Sequence, residues 1–596
     1  DEGIPAESAP PGLDALFAAL PDPFSAADRR SAQLGLPYPG PASNAWAIAG
    51  RRTASGQPLL ANDPHLLASM PNIWFENELI GPGLHVSGVS LPGLPLVLLG
   101  HNAHLAWGMT TTMADTQDLV IERPSEDGRS VLRPEGRDAI RERWEEIPVR
   151  GGEPQRLRIR ETDNGVILND VLAEQRDLPL GFAHFRGEVL LALRWNIALP
   201  DTGFAGLLDL NRASSIAEAR AAIGRIVHAS QNLLLAHRDG QIAWQVSGRL
   251  PRRPYGAGSL PVPGWLAGYA WDGYHPPQDN PFWLDPADGQ LVSANHRPIP
   301  LDHPVQVGRS WLAPYRAQRI TELLGARSQL TPEDMTEIQM DLLGLEARHW
   351  QAALRAHAVQ LREHHPAVWP DVEGLLAWDA RFTTDSEPAA LFVLLRRALF
   401  HALLEDELGA DDLAAYMGVS LLAYNGIQET VRSGRSSFWD DVGTPQVEQP
   451  PDIWARALRR ARADRDTQAG RTASLGEVRG LLFPHAFSGQ PLLGRLFSVG
   501  PLPGSGDDYT VNVRKAAPGE PQRPLFIPSW RVVYSAGDWA ASRASQPLGQ
   551  SGHRFSAFRN DQLAAWRSGE PRPTLWNGGA AAVIGRLRLL PQGAAH

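Results

Sequence analysis

From residue 43 the chain opens on short apolar runs at 46–49, 58–60, 85–89 and 97–99, each closed by glycine or proline, which is the pattern of strands joined by tight turns. Alternation at Arg156-Leu157-Arg158-Ile159-Arg160 extends the strand reading over 132–193. The spacing turns helical over 204–227 and returns to strand at 241–246 and 291–293. It is helical again from 315 to about 361, restarted by the helix-opening Thr331-Pro332-Glu333-Asp334, and over 387–420. The last hundred residues, rich in proline and tryptophan, read as short strands and loops. Residues 1–42 read as a linker with one short helix around 12–20. Neither an internal repeat nor a low-complexity tract is visible, and the fold class is α+β.

At 596 residues and 43% hydrophobic content the chain can bury a large core. A net charge of −10, with no long basic block, argues against a nucleic-acid partner. The most apolar run, 86–99, is interrupted by Gly88, Pro92, Gly93 and Pro95 and is too short to span a bilayer, so no membrane partner is expected. The absence of cysteine excludes disulfides, a thiol nucleophile and thiolate metal sites. Lys515 is the only lysine, which reads as compositional bias.

Chemistry centres on Gly40-Pro41-Ala42-Ser43-Asn44-Ala45-Trp46. Alone, Ser43 is a turn residue entering a strand. It is followed in order by Leu60-Ala61-Asn62-Asp63-Pro64-His65, Leu91-Pro92-Gly93-Leu94-Pro95, Gly100-His101-Asn102, Trp107-Gly108, Gln231-Asn232, Val292-Ser293-Ala294-Asn295-His296-Arg297-Pro298 and Pro314-Tyr315-Arg316. Gly500-Pro501-Leu502-Pro503-Gly504, Thr510-Val511-Asn512 and Ser529-Trp530-Arg531 come near the end. Gly549-Gln550-Ser551-Gly552 lacks the glycine spacing of a G-x-S-x-G elbow, so an α/β-hydrolase reading fails.

This collinear series resembles the penicillin acylase family of N-terminal nucleophile hydrolases, from about residue 40 to the C-terminus. The resemblance implies an αββα sandwich with a mainly helical excursion at about 313–480 and a β-rich C-terminal part. It implies a precursor cut between Ala42 and Ser43, residues 1–42 being the end of an α segment and spacer and residues 43–596 the β chain. The new chain start would supply the nucleophilic hydroxyl and, in its α-amine, the base. His65 would orient both. Asn295 and the backbone N–H of Thr111 would form the oxyanion hole, and Arg316 would hold the network around it. Asp115 and Asp118 match two carboxylates of a structural calcium site, but Gln306 stands where a further aspartate is expected, so the ion stays open. No cofactor is implied for catalysis. The implied substrate is a small acylated amine, such as an N-acyl homoserine lactone, a β-lactam or a cyclic lipopeptide. His65 tilts this toward the homoserine lactone, and Met70, Trp74, Phe75 and Met109 are candidates for the acyl pocket. The remaining implications are a heterodimer with the chain's own α segment, an upstream signal and a periplasmic or secreted location. A catalytically silent binder of acylated molecules on the same scaffold is the alternative.

Overall fold

The strand β1 (Ala42–Ile48) is buried along its whole length because it has neighbours on every side. It pairs antiparallel with β2 (Leu59–Leu67) on one edge and with the strand Gln290–Ser293 on the other. The computed structural model describes residues 42–170, 190–228, 230–256, 258, 260–419, 421–469, 473–516, 523–578 and 583–589. The linker and its short helix at 12–20, and part of the strand stretch at 132–193, lie outside the described residues.

Alternation along β1 determines what each face meets. Ala45 and Ala47, small enough for two sheets to approach, pack with Leu99, Ala106 and Leu234 of a second sheet. Trp46 and Ile48 point the other way, into Ala317, Ile320 and Leu324 of the helix Tyr315–Gly325 and Met335 and Ile338 of the helix Pro332–Gln339. The second of these helices starts where the sequence places a start. Thr331 and Asp334 form a reciprocal capping box with proline in the first turn.

The first sheet continues beyond β2 through Arg531–Ser535, Arg543–Ser545 and Arg572–Pro573, with Pro524–Pro528 paired to the far end of β2. The C-terminal segment therefore completes the sheet that β1 begins. The second sheet contains β3 (Phe75–Gly81), β4 (Leu84–Ser90), β5 (Leu99–Asn102) and β6 (Leu105–Thr111), followed by Gln231–His237, Ile242–Val246 and Phe282–Leu284, all antiparallel. Its outer face carries Leu105, Trp107, Leu233 and Leu235 against Leu210, Ile216 and Ile223 of the helices Gly203–Arg212 and Ile216–Ile223. Two sheets face to face with helices outside each make the αββα sandwich.

Beside the sandwich, β7 (Gln117–Glu122) pairs with Leu190–Trp195 in a third sheet. The helices between Tyr315 and Val478 bury a separate core around Trp350, Phe392, Phe400 and Trp454. The helical spacing over 387–420 folds as Glu387–Val419, interrupted at Gly409, whose φ of 76° takes the chain out of helix.

Candidate active site

Ser43 leaves β1 on the face turned toward the second sheet, as Ala45 and Ala47 do. It is 4% exposed, its Oγ donates to the Ala42 carbonyl at 2.5 Å, and its backbone N–H donates to Asn295 Oδ1 at 2.6 Å. Asn295 lies just past the strand Gln290–Ser293 with φ at 63°, a left-handed conformation that asparagine tolerates better than most residues. Its amide nitrogen donates to the Thr111 carbonyl at 2.9 Å. Two residues 184 apart in sequence, both expected at an oxyanion hole, thus meet directly beside the serine.

Arg316, in the first turn of its helix, is 1% exposed. Its guanidinium donates to the Ser43 carbonyl (2.8 Å), Asn44 Oδ1 (2.6 Å), the Ala294 carbonyl (2.8 Å) and Asn295 Oδ1 (2.9 Å). A rigid fork of donors suits such a task, because one side chain locks the strand and the asparagine in a single geometry. Burial lowers its pKa to about 10, which leaves it charged at neutral pH.

His65 lies on the other face of the sheet. The register sets Ala42 opposite His65, Ser43 opposite Pro64 and Asn44 opposite Asp63. Alternation therefore sends the His65 ring to the helix side with Asn44 and Asp63, away from the Ser43 hydroxyl. Its Nε2 lies 2.6 Å from Asp63 Oδ2 and 3.4 Å from the Asn44 amide nitrogen. Among the described residues no hydrogen bond joins the ring to Ser43, and its route to the serine runs through Asn44 and Arg316. Burial drives the His65 pKa well below its ordinary value. Burial also raises Asp63 to about 8, against the pull of Arg531, Arg316 and the Asn44 hydrogen bond. At neutral pH the pair shares one proton.

Several contributors had motif positions without roles. Asn62 donates to the carbonyls of Asn44 (2.8 Å) and Met109 (3.0 Å) and accepts the Met109 N–H at 3.1 Å, stitching the first sheet to β6. A Cβ on Gly108 would stand 2.9 Å from the Asn62 Cβ, so the glycine of Trp107-Gly108 is what lets the sheets close here. Asn232 donates to Thr110 Oγ1 at 3.0 Å. Lys515 is buried, lowered to about 8 chiefly by desolvation, and its field reaches His65. With Arg316 and Arg531 it makes the neighbourhood electropositive. The charge of a residue read as compositional bias therefore acts on this region.

Of the acyl-pocket candidates, Trp74 is buried between the sheets and donates to Ser529 Oγ at 2.9 Å. Met109 packs against the cores on both faces of the second sheet, Met70 joins a distinct cluster with Phe483 and Ile527, and Phe75 is 47% exposed. Asp115 and Asp118 are bridged by Arg253, with N–O distances of 3.4 and 2.8 Å. Among the described residues no group of three or more His, Cys, Asp or Glu is placed to hold a metal ion.

Comparison with known proteins gives the family and the fold. The family model for penicillin amidase matches residues 7–581. The chain is 34% identical over 578 residues to acyl-homoserine lactone acylase QuiP of Pseudomonas aeruginosa, covering 89% of this chain and 66% of that protein. It is 30% identical over 570 residues to penicillin acylase 2 proenzyme of Pseudomonas sp. (strain SE83), covering 93% and 69%. The chain thus spans about two thirds of the length of these relatives. A thermostable penicillin G acylase from Alcaligenes faecalis shares the fold, with a TM-score of 0.69 at 18% identity, covering 92% of this chain and all of that one.

Proposed function

The chain belongs to the penicillin amidase family, and from that premise we propose that it is an autoprocessed N-terminal serine amidohydrolase that removes the acyl group from a small acylated amine. The observation that carries this reading is the Asn295 side chain, which accepts the Ser43 N–H and donates to the Thr111 carbonyl. It ties the attacking residue to Asn295 and to the backbone of Thr111, the two residues expected to supply the oxyanion donors.

Maturation and turnover would use the same parts. In the uncut chain Ser43 Oγ lies 2.5 Å from the Ala42 carbonyl oxygen, beside the peptide it would attack. A bond from Oγ to that carbonyl carbon forms, the Ala42–Ser43 C–N bond breaks and the nitrogen takes the proton. Water then hydrolyses the ester, leaving a carboxylate on Ala42 and a free α-amine on Ser43. That amine has an ordinary pKa of about 8.

In turnover the hydroxyl would attack the substrate carbonyl, with its proton passing to the amine and on to the leaving nitrogen. The amide of Asn295, released from Thr111, and the Thr111 N–H would meet the negative charge. Arg316 keeps Asn295 Oδ1 engaged, so rotation of that side chain is limited to what its donor end needs. Residues 1–42 would be the end of an α segment and spacer, the two chains would remain associated, and an exported location follows from the same reading. No helix among the described residues is long and apolar enough to cross a membrane.

The names of the relatives point to N-acyl homoserine lactones first and β-lactams second as substrates. Released amine from a panel of acyl homoserine lactones and penicillins of graded acyl length tests this. Turnover of at least one class supports amidohydrolysis. Tight binding of acylated amines with no release by a processed enzyme would favour the silent-binder alternative.

A further inference from the structure

We infer that Arg253 fills the position a structural calcium would take between Asp115 and Asp118, making this corner of the fold a metal-independent guanidinium clamp. Asp118, on β7, is 3% exposed. Its Oδ1 receives Arg253 Nη2 at 2.8 Å and Nε at 3.2 Å, and its Oδ2 receives Nε at 3.1 Å and the Trp271 indole N–H at 2.5 Å. The same Nη2 donates to the Asp115 backbone carbonyl at 3.2 Å and lies 3.4 Å from Asp115 Oδ1. One guanidinium therefore contacts both carboxylates and a backbone oxygen, the kinds of ligand a hard cation gathers.

The surroundings leave calcium poorly provided for. The ion wants six to eight oxygens at about 2.3–2.6 Å. Here Asp118 is already engaged on both oxygens, and the facing residue Trp271 offers a donor rather than a lone pair. Arg253 sits over the Trp271 ring at 5.4 Å, and Arg194, register partner of Asp118, sits over the same ring at 5.6 Å. Arg253 holds the carboxylate directly, and the charge of Arg194 lies close enough to act on it. A Cβ on Gly258 would stand 2.1 Å from Asp115 Oδ2 and 2.9 Å from Asp118 Oδ1, so the opposite wall is closed by backbone.

The clamp has a mechanical purpose. Asp115 lies four residues beyond Thr111, and its N–H also donates to the Val307 carbonyl at 2.8 Å. Arg253 comes from a loop beyond Ile242–Val246, so the bridge pins the segment leaving the proposed oxyanion strand to that loop. Arginine does this with a permanent charge that no chelator removes and no dilution releases.

Thermal melting of the purified protein tests the inference without reference to activity. The wild type is expected to melt at the same temperature with a chelator and with millimolar calcium. Arg253→Met is expected to melt about 5 °C lower, because a buried carboxylate loses its partner, and millimolar calcium should not recover that loss, because the Trp271 donor and the Gly258 backbone still crowd the carboxylates. Adding Asp118→Asn to Arg253→Met should cost little more, since both changes break one bridge. A wild-type midpoint lowered by chelation, an Arg253→Met protein melting with the wild type or restored by calcium, or fully additive losses in the double variant would overturn it.

Discussion

Asn62 grips the backbone of Met109 across the two sheets, accepting its N–H at 3.1 Å and donating to its carbonyl at 3.0 Å. The same amide donates to the carbonyl of Asn44, the residue after the serine. One side chain therefore sets the distance between the strand bearing the nucleophile and the strand ending in Thr111.

Replacing Asn62 by alanine removes that spacer and leaves three buried backbone groups short of a partner. We expect a stability loss of about 2–3 kcal/mol, the cost of unpaired buried polar groups. In whatever folds and matures, kcat should drop by about 10²-fold through misplacement of the oxyanion donor, with KM little changed. Folded, processed Asn62→Ala with native kcat would show that strand spacing does not matter to the reaction. Chemical denaturation and steady-state kinetics on the processed chain separate the two effects.

Asn295→Ala removes a proposed donor and the acceptor that holds the Ser43 nitrogen. Loss of one oxyanion donor costs about 10²–10³ in kcat, roughly 2.7–4 kcal/mol of transition-state stabilisation. KM should move little, since a neutral ground-state carbonyl uses the donor far less. Cleavage after Ala42 passes through a similar oxyanion, so slow or absent maturation is expected as well. The check is the rate of processing followed by kinetics of the processed fraction, and near-native values in both would place the donors elsewhere.

Asp63 gives a pH signature. Its folded pKa of about 8 exceeds its ordinary value, so between about pH 4 and 8 the folded state holds a proton that the unfolded state has lost. Stability owed to this group is therefore full at low pH and declines as pH rises through that window, by up to about 1.4 kcal/mol per unit. His65, lowered by burial, works oppositely, its penalty fading as pH rises toward its unfolded value. Asp63→Asn, which keeps shape and removes titration, isolates the first effect. The wild-type stability minus that of Asp63→Asn should fall from pH 5 to pH 8, measured by denaturation across buffers, and a flat difference would assign the shared proton to another group.

The sandwich and the cluster of Ser43, Thr111, Asn295 and Arg316 were legible through the resemblance of a collinear series of short motifs to a known family, and at some of these motifs the structure shows a physical reason for the residue. Trp107-Gly108 is one case, since only glycine tolerates the approach of Asn62. What stayed hidden depends on register. His65 is two residues from Asp63 and so shares its face, but that this face is opposite the Ser43 hydroxyl follows only from the pairing of Ser43 with Pro64. Arg253 lies 135 residues from Asp118, a pairing no local pattern displays. Lys515 was legible as a count of one, while its burial depends on short strands from the far end of the chain.

The central claim is that Ser43 becomes an amino terminus and acts from there. Intact mass and terminal sequencing of the purified protein, beside a Ser43→Ala variant, test it most directly. The expected result is a chain beginning Ser43-Asn44-Ala45-Trp46 with 596 − 42 = 554 residues if it ends at His596, and an uncut, inactive Ser43→Ala polypeptide. A mature chain starting at any other residue, or a Ser43→Ala protein that still releases amine from its substrate, would contradict it.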